Sequence, residues 1–380
     1  MTRLIEVLIS LAIVAVLFLL VALVLPSSRH LTEKVETNRK MTIVYDTLNS
    51  LRRFRDWNPL VLRDPRMKLQ LSGPDSGVGA RMDYSSSNPQ LGTGSWEIVA
   101  TEPNASVTYA IVNPQRGHDK RSVFSLKPTG RAGRNVEITQ SYDVDYGWDL
   151  LGRYAGLYVS RHVGDDMQLG LERLSNMLAQ VPNVDYRMQG SKLAGLKVVD
   201  VPAEDLLVVS AGSIERNNQK IKDSMKANME WINRTMAASG LVAAGPMRIV
   251  STELGRETYT FDVVQPVRRG AAKADAAAAG EGTEDEAAAA PVASAASSGP
   301  LTGIKLQGPV KYEHTEGGRA ATGSYTGYMA ELEAVRNAVR AWALTQGEEA
   351  VGRPYEVYKN GIDQAFTADG EYQVYWMLKP

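Results

Sequence analysis

Apolar residues fill the chain from Val7 to Leu25 almost without interruption, Ser10 being the polar exception. At about 1.5 Å per residue that run is about 28 Å long, close to the hydrocarbon thickness of a bilayer, and it predicts a membrane-spanning helix over residues 4–25. A cleavable signal sequence would have a shorter apolar core and a small-residue cleavage site, which Leu25-Pro26-Ser27-Ser28 does not supply. Beyond Arg29 the pattern changes. Met41 to Phe54 reads as a helix, with Ile43, Leu48 and Leu51 among its apolar positions. Short alternating runs bounded by Gly, Pro, Asn and Asp then predict strands at Lys68–Leu71, Ala80–Ser85, Gly94–Glu102, Ser106–Val112, Arg121–Pro128 and Asn135–Tyr146. Val163, Met167, Leu171, Leu174 and Leu178, spaced 4, 4, 3 and 4, form one stripe of a closing helix from about Val159 to Leu178. A sheet with one long terminal helix is an α+β layout, and its natural packing leaves a cavity between the two.

The second region, residues 196–380, carries an internal repeat. Gly212-Ser213 and Gly323-Ser324 each precede a helical stretch, and the offset from glycine to tryptophan (Trp231, Trp342) is 19 in both. A strand precedes each helix, Lys197–Ala211 and Gly308–Thr322. A proline and two strands follow, Met247–Thr252 with Glu257–Val264 and Tyr355–Tyr358 with Tyr372–Leu378. Each half therefore reads as strand–helix–strand–strand, and two halves can share one sheet with a cleft between their helices. Residues 271–300 separate them. Fourteen of those thirty residues are alanine, with an acidic patch at Glu281–Glu286, and the expectation is a disordered surface insertion.

Composition narrows the chemistry. The 380 residues include 42 Lys and Arg against 43 Asp and Glu, a formal net charge of −1 that lacks the basic excess of a general nucleic-acid binder. There is no cysteine, which excludes disulfides, thiolate metal sites and a cysteine nucleophile, and the four histidines have no ligand-like spacing. No cofactor or metal is expected. Around the apolar run, Arg29, Lys34, Arg39 and Lys40 follow the span and only Arg3 precedes it. Counting Lys and Arg places the soluble part on the cytoplasmic side of an inner membrane; a signal-anchor export route would place it on the periplasmic side.

In the first region, residues 29–182, stand Phe54-Arg55-Asp56-Trp57-Asn58-Pro59, Ser72-Gly73, Gly77-Val78-Gly79-Ala80, Tyr84 and Gly92-Thr93-Gly94-Ser95-Trp96-Glu97-Ile98, followed by the long final helix. With these the region resembles the START-like superfamily of polyketide cyclases and lipid-transfer proteins (SRPBCC). The resemblance implies a helix-grip fold around an apolar pocket, for which Trp57, Trp96, Tyr109 and Tyr142 are lining candidates. The second region has Gly323-Ser324-Tyr325-Thr326-Gly327-Tyr328, the Trp342 helix, Arg353-Pro354-Tyr355-Glu356-Val357-Tyr358 and the closing strand Tyr372–Leu378. In these it is similar to the gyrase-inhibitor-like effector-binding domain. It implies a cleft for bulky, often cationic, aromatic ligands, with Glu356 at the position that supplies the charge. By period two Tyr358 shares the face of Glu356. Tyr325, Tyr328, Trp342, Trp376 and Trp231 are the aromatic candidates for its walls.

The expectation is a membrane-anchored protein that sequesters or senses amphipathic or cationic aromatic molecules. Two alternatives stay open: a hydrolase or cyclase acting on an electrophilic apolar molecule, with Glu356 as a general base, and an interaction module without a small ligand. No ordered set of nucleophile, base and acid can be traced along the chain.

Overall fold

The computed structural model describes residues 2–188, 192–270 and 299–380, so the alanine-rich segment expected at 271–300 lies almost wholly outside the described residues. Two antiparallel sheets with helices make up a mixed α and β architecture. Contacts divide the chain into two compact units, one of Met1–Asp185 with Thr345–Gly347, the other of Tyr186–Leu344 with Glu348–Pro380.

The first unit opens with helix α1 (Thr2–Val24), apolar and solvent-exposed along nearly all its length. Strand β1 (Ser28–Thr37) follows, then α2 (Met41–Leu48), α3 (Phe54–Trp57) and α4 (Leu60–Arg63). Strands β2 (Lys68–Ser72), β3 (Arg81–Ser85), β4 (Thr93–Glu102), β5 (Ser106–Val112), β6 (His118–Thr129) and β7 (Asn135–Asp145) come next, and α5 (Leu150–Ala155) and α6 (Val159–Leu178) close the unit. The sheet order is β1-β7-β6-β5-β4-β3-β2, antiparallel throughout. Helix α6 buries Met167, Gly170, Leu171, Leu174, Met177 and Leu178, the stripe that its 4, 4, 3, 4 spacing predicts, while Val163 is only partly covered.

Two features depart from the sequence pattern. The helix expected to run from Met41 to Phe54 stops at Leu48, where the Asn49 amide donates to the Tyr45 carbonyl, and the chain re-forms helix only at Phe54. Strand β1 was invisible to the pattern because it is charged, Ser-Arg-His-Leu-Thr-Glu-Lys-Val-Glu-Thr. It lies at the sheet edge, paired only with β7, and charged side chains are what an edge strand tolerates.

The second unit begins with β8 (Leu193–Val201) and β9 (Glu204–Glu215), then α7 (Asn218–Ser239), β10 (Leu241–Ala243), β11 (Arg248–Leu254) and β12 (Thr258–Arg269). It continues with β13 (Lys311–Thr315), β14 (Gly318–Thr326), α8 (Leu332–Thr345), β15 (Ala350–Tyr358), α9 (Gly361–Gln364) and β16 (Glu371–Leu378). Each leading strand expected from the repeat is divided into two, at Pro202-Ala203 and at Glu316-Gly317. The sheet order is β13-β9-β12-β11-β15-β16-β14-β8, with β10 paired to β12. Read outward from the β11–β15 seam, the order is symmetric, and each half ends on a strand from the other: β13 pairs with β9 and β8 with β14. Helices α7 and α8 feed one apolar cluster, through Ile221, Met225 and Ile232 on one side and Leu332, Val335 and Val339 on the other.

Candidate functional site

In the first unit, five aromatic rings close a circuit of edge-to-face contacts. Phe54 meets Trp57 at 5.6 Å and Trp96 at 5.2 Å, Trp96 meets Tyr109 at 5.7 Å, Tyr109 meets Phe124 at 5.6 Å, and Phe124 returns to Trp57 at 5.7 Å. Edge-to-face geometry places the positive rim of one ring on the negative face of the next, so the circuit is a fixed wall rather than a loose one. Trp57 arrives on the short α3, the others on α3, β4, β5 and β6.

Against this wall lies a cavity of about 460 Å³. Trp57 and Trp96 face it, with Ile111 from β5, Tyr142 from β7, Tyr146 just beyond it, and Val159, Val163 and Met167 from α6, while Asn58, Gln90, Asn113 and Gln140 add polar groups to the lining. Gly170 lets α6 pass close to the α3–α4 turn: a Cβ there would sit 3.1 Å from Pro59 Cδ. Tyr109 is not in the lining; it is buried behind Trp96 and its hydroxyl donates to the Leu48 carbonyl. Burial pushes the hydroxyls of Tyr84 and Tyr142 up from their ordinary value, so both stay neutral. The indole Nε1 of Trp57 is buried without a hydrogen-bond partner.

The cavity's charges are already matched. Arg63 on α4 meets Asp166 on α6 at 2.5 Å, and Arg116 meets Asp149 at 3.0 Å. Burial raises the Asp166 carboxyl above its ordinary value, opposed by Arg63. His162 lies one helical turn before Asp166, on the same cavity wall. A neutral, aromatic hollow with paired charges suits a molecule with an apolar body and a modest polar group.

The residues singled out in the second region have a different setting. Glu356 is fully buried on β15, in the middle of the sheet, and faces α8, where Arg336 Nε donates to its carboxylate. Arg336 also donates to Tyr259 Oη at 3.3 Å. Burial raises the Glu356 carboxyl, and the guanidinium opposes the rise. Its Oε2 and the Tyr358 hydroxyl, on the same face, are buried without hydrogen-bond partners. Tyr358 packs edge-on to Tyr372 at 5.0 Å, and Tyr325 stacks on Tyr372 at 5.9 Å while its hydroxyl donates to Glu331 at 2.5 Å. Trp376 donates its indole N–H to the Arg336 carbonyl at 2.9 Å and lies under the Arg340 guanidinium. Trp342 and Trp231 pack against the apolar cluster, Trp231 beneath Arg234 at 4.9 Å. Tyr328 is half exposed. Sequence reasoning missed Arg336, although a signal was present: Leu332, Val335, Arg336 and Val339 hold i, i+3, i+4 and i+7, so the arginine falls in the apolar stripe and calls for a buried acid.

Among the described residues no group of three or more His, Asp or Glu side chains is placed to hold a metal ion.

A profile of the family described as polyketide cyclase / dehydrase and lipid transport matches residues 28–178, which span β1 to α6. No curated protein matches the chain. Similar solved structures include norcoclaurine synthase from Thalictrum flavum, 13% identical over 40% of this chain and 87% of that one, with a TM-score of 0.32. An uncharacterized protein from Bacillus thuringiensis is 14% identical over 40% of this chain and 100% of its own, with a TM-score of 0.31. The C-terminal domain of EcmrR is 12% identical over 49% of this chain and 97% of its own, with a TM-score of 0.34.

Proposed function

We propose that the protein is a membrane-anchored receptor for an amphipathic small molecule, that the aromatic cavity of the first unit is its binding site, and that α1 is the anchor. The observation that carries this is the cavity itself. Its volume falls in the range of about 300–1,000 Å³ typical of ligand sites, its walls are mainly apolar and aromatic with a few polar groups, and Arg63 and Arg116 are paired within the protein. The family match over residues 28–178 supports an apolar pocket in the same place. The exposed apolar length of α1 supports anchoring, since leaving that surface in water is unfavourable.

Glu356 does not support a cationic ligand in the second unit. Its counter-ion is Arg336, so its charge is already compensated inside the protein.

A fluorescent apolar probe, 1-anilinonaphthalene-8-sulfonate, tests the reading. Binding to the full chain in detergent should fall at least severalfold in Met167→Trp, which fills the cavity, and stay unchanged in Glu356→Gln provided that variant remains folded. Equal affinity in Met167→Trp and the parent would overturn the assignment.

A second reading, catalysis on the bound molecule, is favoured by one observation. Asp166, with its carboxyl raised by burial, lines the cavity one turn from His162, a placement suited to proton transfer. It requires that Asp166→Asn abolish turnover of a bound electrophile while leaving binding intact; turnover equal to the parent's would end it.

A further inference from the structure

The carboxy-terminal end of α1 is tied to the first unit at a fixed depth. The Tyr154 hydroxyl donates to the Phe18 carbonyl at 2.8 Å, and the two rings stack with centroids 4.3 Å apart. Arg153 Nη1 donates to the carbonyls of Ala22 and Leu23 at 3.2 Å and of Leu25 at 3.3 Å, which satisfies the open end of the helix and places a cation there.

This geometry sets a depth. Phe18 lies six residues before Val24, about 9 Å along the axis at 1.5 Å per residue. A hydrocarbon core of about 30 Å beginning just beyond Arg3 reaches about Leu23, which still leaves Phe18 about 7 Å below the surface. Tyr154, held level with Phe18, must then lie inside the membrane boundary. The side chains around it suit that position. Trp148 is 83% exposed and Tyr158 63% exposed, and Leu151 and Leu157 are also exposed. Trp148 sits in the turn before α5, Leu151 and Tyr154 lie on α5, and Leu157 and Tyr158 fall in the 3-10 turn that follows it, so the exposed apolar groups come from one short stretch of chain and include two of the aromatic types that favour the membrane interface. Arg153, with its stem among these groups and its head on the helix carbonyls and on Gly147 O at 2.7 Å, has its charge satisfied at that depth.

The same segment is also a wall of the cavity. Ala155, Tyr158 and Val159 line it, and Tyr158 is at once a lining residue and a member of the exposed group. We infer that residues 148–158 are immersed in the membrane interface beside α1, and that the cavity takes its ligand, a bilayer-dissolved amphiphile, directly from the leaflet past Tyr158. The ligand then passes from acyl chains to an aromatic wall without crossing water. The inference rests on the reading of α1 as an anchor, and the experiment separates the two.

The chain has no cysteine, so single cysteines can be introduced and labelled with an environment-sensitive nitrobenzoxadiazole. Full-length Leu151→Cys, Leu157→Cys, Leu20→Cys in α1 and Leu71→Cys on β2 are labelled and reconstituted in phosphatidylcholine vesicles containing a shallow nitroxide lipid. Labels at 151 and 157 should be quenched by the nitroxide as strongly as the label at 20, and the label at 71 should be quenched only by aqueous iodide. Quenching at 20 with iodide-accessible labels at 151 and 157 would overturn the inference and leave the anchor standing. An iodide-accessible label at 20 would overturn the anchor and the inference with it. The entry route has its own readout, transfer of a pyrene-labelled fatty acid from vesicles. The W148D/L151D double variant should accept it severalfold more slowly than the parent, with unchanged affinity for 1-anilinonaphthalene-8-sulfonate; parental transfer rates would overturn the leaflet route.

Discussion

At the scale of single residues, the pairing of Glu356 with Arg336 illustrates how one tertiary neighbour changes what a side chain can do. A buried carboxylate facing an empty aromatic hollow would attract a cation; one that accepts from a buried guanidinium is neutralised already. Glu356→Gln leaves Arg336 as an uncompensated buried charge, so urea denaturation should show a loss of about 3–5 kcal/mol. Replacing both partners, Arg336→Met with Glu356→Leu, should recover most of it, because apolar side chains of similar volume carry no desolvation penalty. Asp166 supplies a second prediction. Its folded-state pKa is raised, so the folded chain holds that proton more tightly than the unfolded one. Its contribution therefore opposes folding at neutral pH and is relieved as the pH falls from the raised value toward the ordinary carboxylate value. Paired denaturation of the parent and Asp166→Asn should show the parent gaining on the variant across that interval. A gap independent of pH would contradict the assignment.

At the scale of elements, α6 and α7 were legible because a helix that buries one face repeats its apolar residues with the helical period. The ends of α7 are as plain: the Asn217 side chain accepts from the amides of Gln219 at 2.9 Å and Lys220 at 3.2 Å, and Gly240, at φ 63°, closes the helix in the left-handed region. Asn217→Ala should cost about 1 kcal/mol by thermal or chemical unfolding, the usual value of such a cap. Strand β1 and the break after Leu48 were not legible. An edge strand needs backbone partners more than apolar side chains, and β1 finds all ten of its register partners on β7. The divided leading strands of the second unit escaped for a related reason. The turns at Pro202-Ala203 and Glu316-Gly317 lie within runs whose strand character continues on both sides, and only the pairing of β8 with β14 and of β13 with β9 shows that the two pieces run to opposite edges of the sheet.

At the scale of the whole molecule, α1 and the first unit's cavity give the proposed function its two parts. If α1 anchors the chain, the protein should stay with membranes through high-salt and alkaline washes and leave them only in detergent, and the mature mass should include residues 2–25. Release by alkali, or a mass lacking those residues, would favour a cleaved leader. The amino-acid sequence alone pointed to the apolar span, the α+β character of both regions, the duplication around Trp231 and Trp342, and three of the five rings that meet in the first unit, Trp57, Trp96 and Tyr109. These are properties of local order and period, which a one-dimensional pattern records. Tertiary structure decided which of those aromatics face open space, that Tyr109 stands behind Trp96 while Tyr146 lines the cavity, that Glu356 is paired with Arg336, and that Tyr154 lies level with Phe18. Each of those depends on residues distant along the chain arriving within a few ångströms of one another, and the spacing of residues along a sequence carries no measure of that separation.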